Sequence, residues 1–413
     1  MKLTTHQASS IAAWKVKLMF LRYRVVRHAA SLRLASKNVK GRVYLWPPFA
    51  ASEQTELEAM EVNLVHFLRN LNTPVVFFRR NQMEITRCIY SVETHSVTSS
   101  STISEAAALQ ELRRARYCLM WRYQDPARAS SLYPWLYSVA GGPGRFESLN
   151  WLRLVSDLYF DRYTTLPNRA VPFPETFLRN CAILGTGPSL DDFMNESECW
   201  DAWIGANTVV CDDRIWGKGR PFAFCALDPN NCGPTYHWKS MWAGAFRLLR
   251  ETPALLVTLQ NFAPYIELNF PDDIKRKCYY VKALGHDTYR MTTRFSLSDL
   301  TITPFGNVLT DLMLPLAASI TRRVTLYGCD GRPPGGTMNF PKSAGLQKYD
   351  DEWLESGYEH VDENQYSKYM DMHSLYTRYV VDECINHGVQ VTLRRPSWNI
   401  GLAGVPVCSP QEE

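Results

Sequence analysis

The sequence predicts an α/β protein: a doubly wound, mostly parallel sheet of Rossmann-like design in the C-terminal half, preceded by a separate α/β domain. Three observations carry this. From Cys181 onward short apolar runs recur as strands, at 181–184, 203–206, 222–227, 254–259, 278–284, 323–327 and 389–393, with helical segments between them. Strands that alternate with helices build parallel sheets. Polar residues fall just beyond the carboxyl ends of several of these runs, where such sheets gather ligands. The third observation is compositional: 46% hydrophobic and 21% charged residues over 413 positions describe a globular chain with room for two ordinary domains.

The first strand of the C-terminal half runs straight into a glycine turn and a helix start, Cys181-Ala182-Ile183-Leu184-Gly185-Thr186-Gly187-Pro188-Ser189-Leu190. Glycines let backbone approach a ligand, and the first-turn N–H groups of a helix have no partner inside it. Those donors and the helix dipole favour an anion. Ser189 is the expected N-cap, with Asp192 in the place a capping box puts its acid. The stretch is neither the full dinucleotide fingerprint nor a P-loop, since position 190 is Leu and no Gly-Lys-Ser/Thr follows. The expectation is a nucleotide-phosphate seat, with a purely structural strand-turn-helix junction as the rival.

Further along, helices are expected at 191–199, 307–320 and 366–387. Asn207, Asp228 and Asp330 each follow a strand and can read a nucleotide, although each alone is more often a loop former. His373 shares a helical face with Thr377, Val380 and Cys384. Imidazole titrates near neutral pH and is the commonest general base, while a lone His on a partly apolar face is usually structural.

The first half reads as a strand at 43–46, a helix at 55–71, strands at 74–78 and 83–92, an exposed Ser/Thr-rich loop at 95–104, and helices at 105–123 and 146–159. The proline-punctuated stretch 166–174 is the expected boundary. It gives an arm at 1–42, a domain of unassigned role at 43–172, a nucleotide-binding domain at 173–402 and a tail at 403–413. The arm holds ten Lys or Arg and no Asp or Glu, while the whole chain has a net charge of only +4. Ile11, Trp14, Leu18, Leu21, Val25 and Leu32 form one apolar stripe, so the arm suits an anionic membrane surface or, equally, an acidic patch of the protein itself. No apolar run reaches the roughly 20 residues of a spanning helix, and none forms a secretory leader. The mild overall charge gives no reason to expect nucleic acid. Eleven cysteines without Cys-x-x-Cys or Cys/His zinc spacing point to reduced thiols and no bound metal.

The order of these elements resembles the bacterial lipooligosaccharide-type sialyltransferases. It runs Gly185-x-Gly187-Pro188-Ser189-Leu190, a strand ending in Asn207, Asp228-Pro229, a Gly306-Asn307 helix start, Gly328-Cys329-Asp330, His373, and Arg395-Pro396-Ser397. The opening motif is also similar to the motility-associated-factor and hydroxymethylpterin-pyrophosphokinase-like group. The likeness covers about residues 178–402. It implies a single nucleotide-binding domain of GT-A-like type and an inverting, metal-independent transfer of a nonulosonic sugar from a CMP-activated donor to a glycan or lipid-linked hydroxyl. No cofactor beyond that donor is implied. Gly185, Thr186, Gly187, Pro188 and Ser189 would then cradle CMP, with Asn207, Asp228, Gly306 and Asp330 beside it. Tyr349 and Tyr358 would offer phosphate-binding hydroxyls, and His373 would be the base. The implied setting is cytoplasmic, peripheral at the inner membrane face. Thr186, Phe305 and Arg332 depart from the family pattern, which has Asn, Ser and an aromatic pair there. The choice of nonulosonic sugar and the oligomeric state stay open. ATP-dependent diphosphate transfer and a non-catalytic nucleotide-binding module are the alternatives.

Overall fold

The computed structural model describes residues 42–46, 48–71, 73–81, 84–115, 117–121, 136–138, 148–163, 165–166, 177–196, 200–227, 236–283, 293–331, 342–346 and 363–408. The basic arm therefore lies outside the described residues. The chain divides into two compact units, Met1–Thr165 and Leu166–Glu413.

The first unit holds a seven-stranded mixed sheet of β1 (Val43–Trp46), β2 (Phe49–Ala50), β3 (Val75–Asn81), β4 (Glu84–Ser91), β5 (Ser96–Ile103), β6 (Tyr117–Met120) and β7 (Leu136–Ser138). Helices α1 (Gln54–Leu68), α2 (Glu105–Arg114) and α3 (Ser148–Arg162) accompany it. The spatial order is β5-β4-β3-β1-β6-β7, parallel from β3 to β7 and antiparallel across β3, β4 and β5, with β2 also parallel to β3. Phe67 of α1 stacks on Trp151 of α3, both fully buried, and joins the two helices over a shared core.

Two sequence expectations fail here for identifiable reasons. Residues 95–104 do not form a loop. They make β5, an edge strand paired along its length with β4 and exposed on both faces. A strand with neither face buried has no apolar alternation to betray it. The helix expected to run to Tyr123 stops at Arg114, Ala115 turns extended, and Tyr117–Met120 becomes β6 beside β1.

In the second unit β8 (Cys181–Leu184), β9 (Trp200–Ala206), β10 (Gly219–Cys225), β11 (Leu255–Leu259), β12 (Cys278–Ala283), β13 (Thr301–Ile302), β14 (Arg323–Tyr327) and β15 (Gln390–Leu393) form an eight-stranded sheet. Its order is β13-β12-β11-β10-β9-β8-β14-β15 and every pairing is parallel. All residues of β8 and β11 are buried, as expected of strands covered on both faces. Helices α4 (Leu190–Asn195), α5 (Tyr236–Glu251), α6 (Ala263–Asn269), α7 (Asp272–Lys275), α8 (Leu314–Ile320, preceded by a π turn at Leu309–Met313) and α9 (Glu363–Asn386) connect the strands. The sequence reading did not assign α5, although Met241, Ala245, Leu248 and Leu249 bury one helical stripe. Residues 403–408 are not a free tail: Leu393 donates to Pro406 O, Cys408 donates back to Leu393 O, and Val405 is buried. None of the described cysteines is disulfide-bonded.

The strand order locates the decisive place in this unit. From β8 the chain builds outward through β9 to β13, then returns to lay β14 on the other side of β8. The order reverses between β8 and β14, whose carboxyl ends carry Gly185 and Gly328, and parallel sheets gather ligands at such a reversal. A methyl on Gly328 would sit 2.2 Å from Gly185 O, at a φ of +64° that disfavours side chains. Strain and overlap together cost roughly 3 kcal/mol. Gly328→Ala is therefore expected to lower the melting temperature by about 6–12 °C. Gly217→Ala, with nothing within 4 Å of the added methyl, should leave it within about 2 °C.

Candidate functional site

At the reversal two strand-end turns are laid against each other and lock. Gly185 N–H donates to Tyr327 O at 2.8 Å and Gly187 N–H to Gly328 O at 2.9 Å. A methyl on Gly185 would fall 2.3 Å from Gly328 O, so neither turn tolerates a side chain at the crossing. Ser189 N–H donates to Asp330 Oδ2 at 3.0 Å, and Gly328 N–H donates to Ser189 Oγ at 2.7 Å.

These bonds correct the expected phosphate seat. The amides of Gly185, Gly187 and Ser189 are satisfied by the protein itself, and the anion at the start of α4 is the Asp330 carboxylate. Asp330 is thus an occupant of the turn rather than a side chain reaching for a nucleotide. Ser189 holds the expected N-cap position but makes no side-chain capping bond. Its backbone is already helical (φ −68°, ψ −5°) and its hydroxyl serves Gly328. Asp192 does not complete a capping box, because its carboxylate takes the Arg395 guanidinium in a two-pronged pair. Pro188 O accepts from Asp191 N–H in the first turn of α4.

A short strap, residues 342–346, is bonded to the glycine turn at Thr186. Ser343 N–H donates to Thr186 O at 3.0 Å and Lys342 Nζ to Thr186 Oγ1 at 3.3 Å. Asp191 holds the strap through Ser343 Oγ at 2.5 Å and Ala344 N–H at 3.3 Å. Lys342 lies in no motif, and no signal in the sequence marks it.

Asn207 stands at the carboxyl end of β9, next to β8, with a φ of +55°. His95 is the other non-glycine residue with positive φ among those described. The left-handed region is sparsely used by side chains, and residues held there gather at functional sites. The Asn207 side chain is half-buried, at the head of the 3-10 turn Asn207–Cys211. Asp228, Tyr349 and Tyr358 lie outside the described residues.

Gly306 forms a turn with a φ of +83°, closed by Phe305 and Gly306 N–H groups that both donate to Asp311 Oδ2 at 2.8 Å. Asp311 is fully buried in the π turn. Burial raises its carboxyl to about 7, against the lowering effect of those N–H bonds. Phe305 stacks on Tyr376 with centroids 4.0 Å apart, and Tyr376 OH donates to Thr303 O at 2.6 Å. The Gly306 turn is thereby fastened to α9 one helical turn beyond His373.

His373 is 6% exposed. Its Nε2 lies 3.4 Å from Thr377 Oγ1, which in turn donates to His373 O at 2.8 Å. Burial lowers the imidazole to about 4, so the ring is neutral at pH 7. Thr377, Val380 and Cys384 continue the same face and are fully buried. Asn399 Nδ2 donates to Thr377 Oγ1 at 3.5 Å, while Trp398 N–H donates to Asp330 O at 2.6 Å and Ser397 Oγ to Cys329 O at 2.7 Å. The segment 397–399 therefore ties the His373 face of α9 to the Asp330 turn. Gly185, Gly187, Ser189, Asp330 and Thr186 meet at one locus, with His373 and Gly306 joined to it through α9, and Asn207 on the neighbouring strand end. Asp311 and Asn399 join it as residues the sequence reading did not single out, and Arg395 of the Arg395-Pro396-Ser397 motif joins it through Asp192.

No family model, curated protein or solved structure matches the chain. Among the described residues no helix is long and apolar enough to cross a membrane.

Asp311 and His373 give the unit opposite pH responses. Unfolded, they titrate near 3.9 and 6.5. Asp311 binds its proton more tightly when folded, so its contribution is full below about pH 4 and is lost as pH rises through about 7. His373 binds its proton less tightly when folded, so its contribution is full above about pH 6.5 and is lost as pH falls toward 4. Asp311→Asn keeps the acceptor for the two N–H groups and removes the titration. Melting temperatures from pH 5 to 8 are expected to show the variant gaining on the wild type as pH rises, most at pH 8. Parallel curves would contradict the assignment.

Proposed function

We propose that the second unit is a glycosyltransferase that moves a sialic-acid-like sugar from a CMP-activated donor to a glycan hydroxyl, with inversion and without a metal. The observation that carries the reading is the strand-order reversal between β8 and β14, with Asn207 in a left-handed backbone at the neighbouring strand end. Parallel α/β sheets bind nucleotides at such crevices, and the sequence resemblance supplies the donor class. Because Asp330 holds the Ser189 amide, the donor phosphate is assigned to the Thr186 side of the turn, with Asn207 reading the ribose or base.

In this reading His373 removes the acceptor proton. A neutral ring is the form a base requires, although burial makes it a weak one in the free protein. The negative charge gathering on departing CMP raises the imidazole's proton affinity as the reaction proceeds. CMP leaves as a phosphate monoester whose charge hydroxyl and amide donors can stabilise. The basic arm at 1–42, with its apolar stripe, supports an assignment to an anionic membrane surface near a lipid-linked acceptor.

CMP release from a CMP-nonulosonate donor is expected to persist in EDTA. His373→Ala should lower it by about 10²–10⁴-fold while retaining CMP binding, measured by calorimetry. The acid limb of kcat/KM, which reports the free enzyme, should fall below about pH 5; a limb at 6.5 would argue against His373 in its buried setting. Asn207→Gly, which keeps the left-handed backbone and removes only the amide, should weaken CMP binding about 10-fold at an unchanged melting temperature. An EDTA-abolished activity that requires ATP would overturn the reading.

A further inference from the structure

We propose that the outer edge of β5 is a pairing surface for a second copy of this chain, the two β5 strands running antiparallel across a two-fold axis so that one sheet continues through both first units. The assignment concerns the first unit and does not depend on the nucleotide reading of the second. An unpaired strand edge offers a row of N–H and C=O groups to any other chain, and folds that stay apart shorten it, cover it or charge it. Of the four strands that end the two sheets, three are treated in this way. β7 is three residues long. β13 is two residues long and bridged to Arg294, and β15 is bridged at Leu393 to Val407. The fourth is β5, with eight residues paired to β4 on one side and, among the described residues, no strand on the other.

Nothing in this strand repels a copy of itself. Ser96–Ile103 reads Ser-Val-Thr-Ser-Ser-Ser-Thr-Ile, without a charge or a proline. Ser99 pairs with Ile89 and Val97 with Tyr90, so Thr98 is an extra residue in the ladder, and the regular run 99–103 is centred on Ser101. Opposed residues of an antiparallel pair turn their N–H and C=O groups the same way, so a two-fold axis passes through a residue rather than between two. With the axis at Ser101, Ser99 faces Ile103 and Ser100 faces Thr102. Every opposed pair is uncharged, and Glu105 beyond the run is taken by Arg80. Opposed hydroxyls add cross-strand hydrogen bonds to those of the main chain. The strand carries no aromatic or charged anchor by which a different partner would be selected, whereas a copy of itself needs only main-chain groups and hydroxyls. β4 already holds the strand extended, so pairing orders little new chain. The result is an isologous contact, closed at two copies.

The test is sedimentation equilibrium of the full-length protein at up to about 100 µM, where a dimer of micromolar Kd is populated. The wild type is expected to dimerise. Ser101→Lys and Ser101→Glu each set like charges opposite one another across the axis, and each is expected to weaken the dimer about 5- to 10-fold at low salt. An equimolar mixture of the two variants should recover it, because lysine then faces glutamate. Ser101 is exposed, so the melting temperature of each dilute variant should stay within about 2 °C of the wild type. A wild type that remains monomeric overturns the assignment. So does a wild-type dimer that both variants leave as tight, or one whose loss in the single variants the mixture fails to restore.

Discussion

The contact between the backbones of Gly185 and Gly328 is the constraint on which the rest of the second unit's site depends. It exists because β8 and β14 are neighbours in space but separated by some 140 residues of chain, with five strands laid down between them. Bringing the two strand ends flush lets Tyr327 O and Gly328 O take the amides of the first turn, and puts the Asp330 carboxylate within reach of Ser189. Once Asp330 is fixed, Trp398 N–H has its acceptor and Ser397 has Cys329 O. Asn399 is then placed against Thr377, and Thr377 against His373. A side chain at either glycine would break the first link of that series.

The same crossing changes the electrostatic logic of the turn. A short helix following a glycine turn invites an anion, and the protein supplies its own. An internal carboxylate costs less to hold there than a bare set of amides, since it satisfies a buried donor without relying on solvent. Deeper in the unit, Asp311 and His373 are buried ionisable groups moved in opposite directions. Burial favours the neutral form of each, which leaves both close to uncharged near neutral pH, the imidazole fully and the carboxyl in part.

Much of the architecture was legible because burial on both faces leaves a plain signal. Cys181–Leu184 is an unbroken apolar run and Leu255–Leu259 is interrupted only by Thr258, and the parallel sheet follows from the alternation of such runs with helices. The helix α5 carried an equally readable stripe at Met241, Ala245, Leu248 and Leu249, and only its position between two assigned strands hid it. In contrast, β5 is Ser/Thr-rich with both faces in solvent, so its only reason to be a strand is the hydrogen-bonded partner β4. β6 was concealed because no glycine or proline separates it from α2. At the site, the strand-end positions of Gly185, Asn207 and Asp330 could be read from local sequence. The role of Asp330 could not, since its partner Ser189 lies 141 positions away.

Hydrogen exchange of the full-length protein, followed peptide by peptide with and without CMP, bears most directly on the proposal that the strand-order reversal at β8 and β14 is the binding locus. The account predicts slowed exchange confined to the second unit, in peptides covering 185–190, 206–209 and 342–346, with the first unit unchanged. Slowed exchange elsewhere with those three segments unaffected, or no change anywhere at saturating CMP, would contradict it.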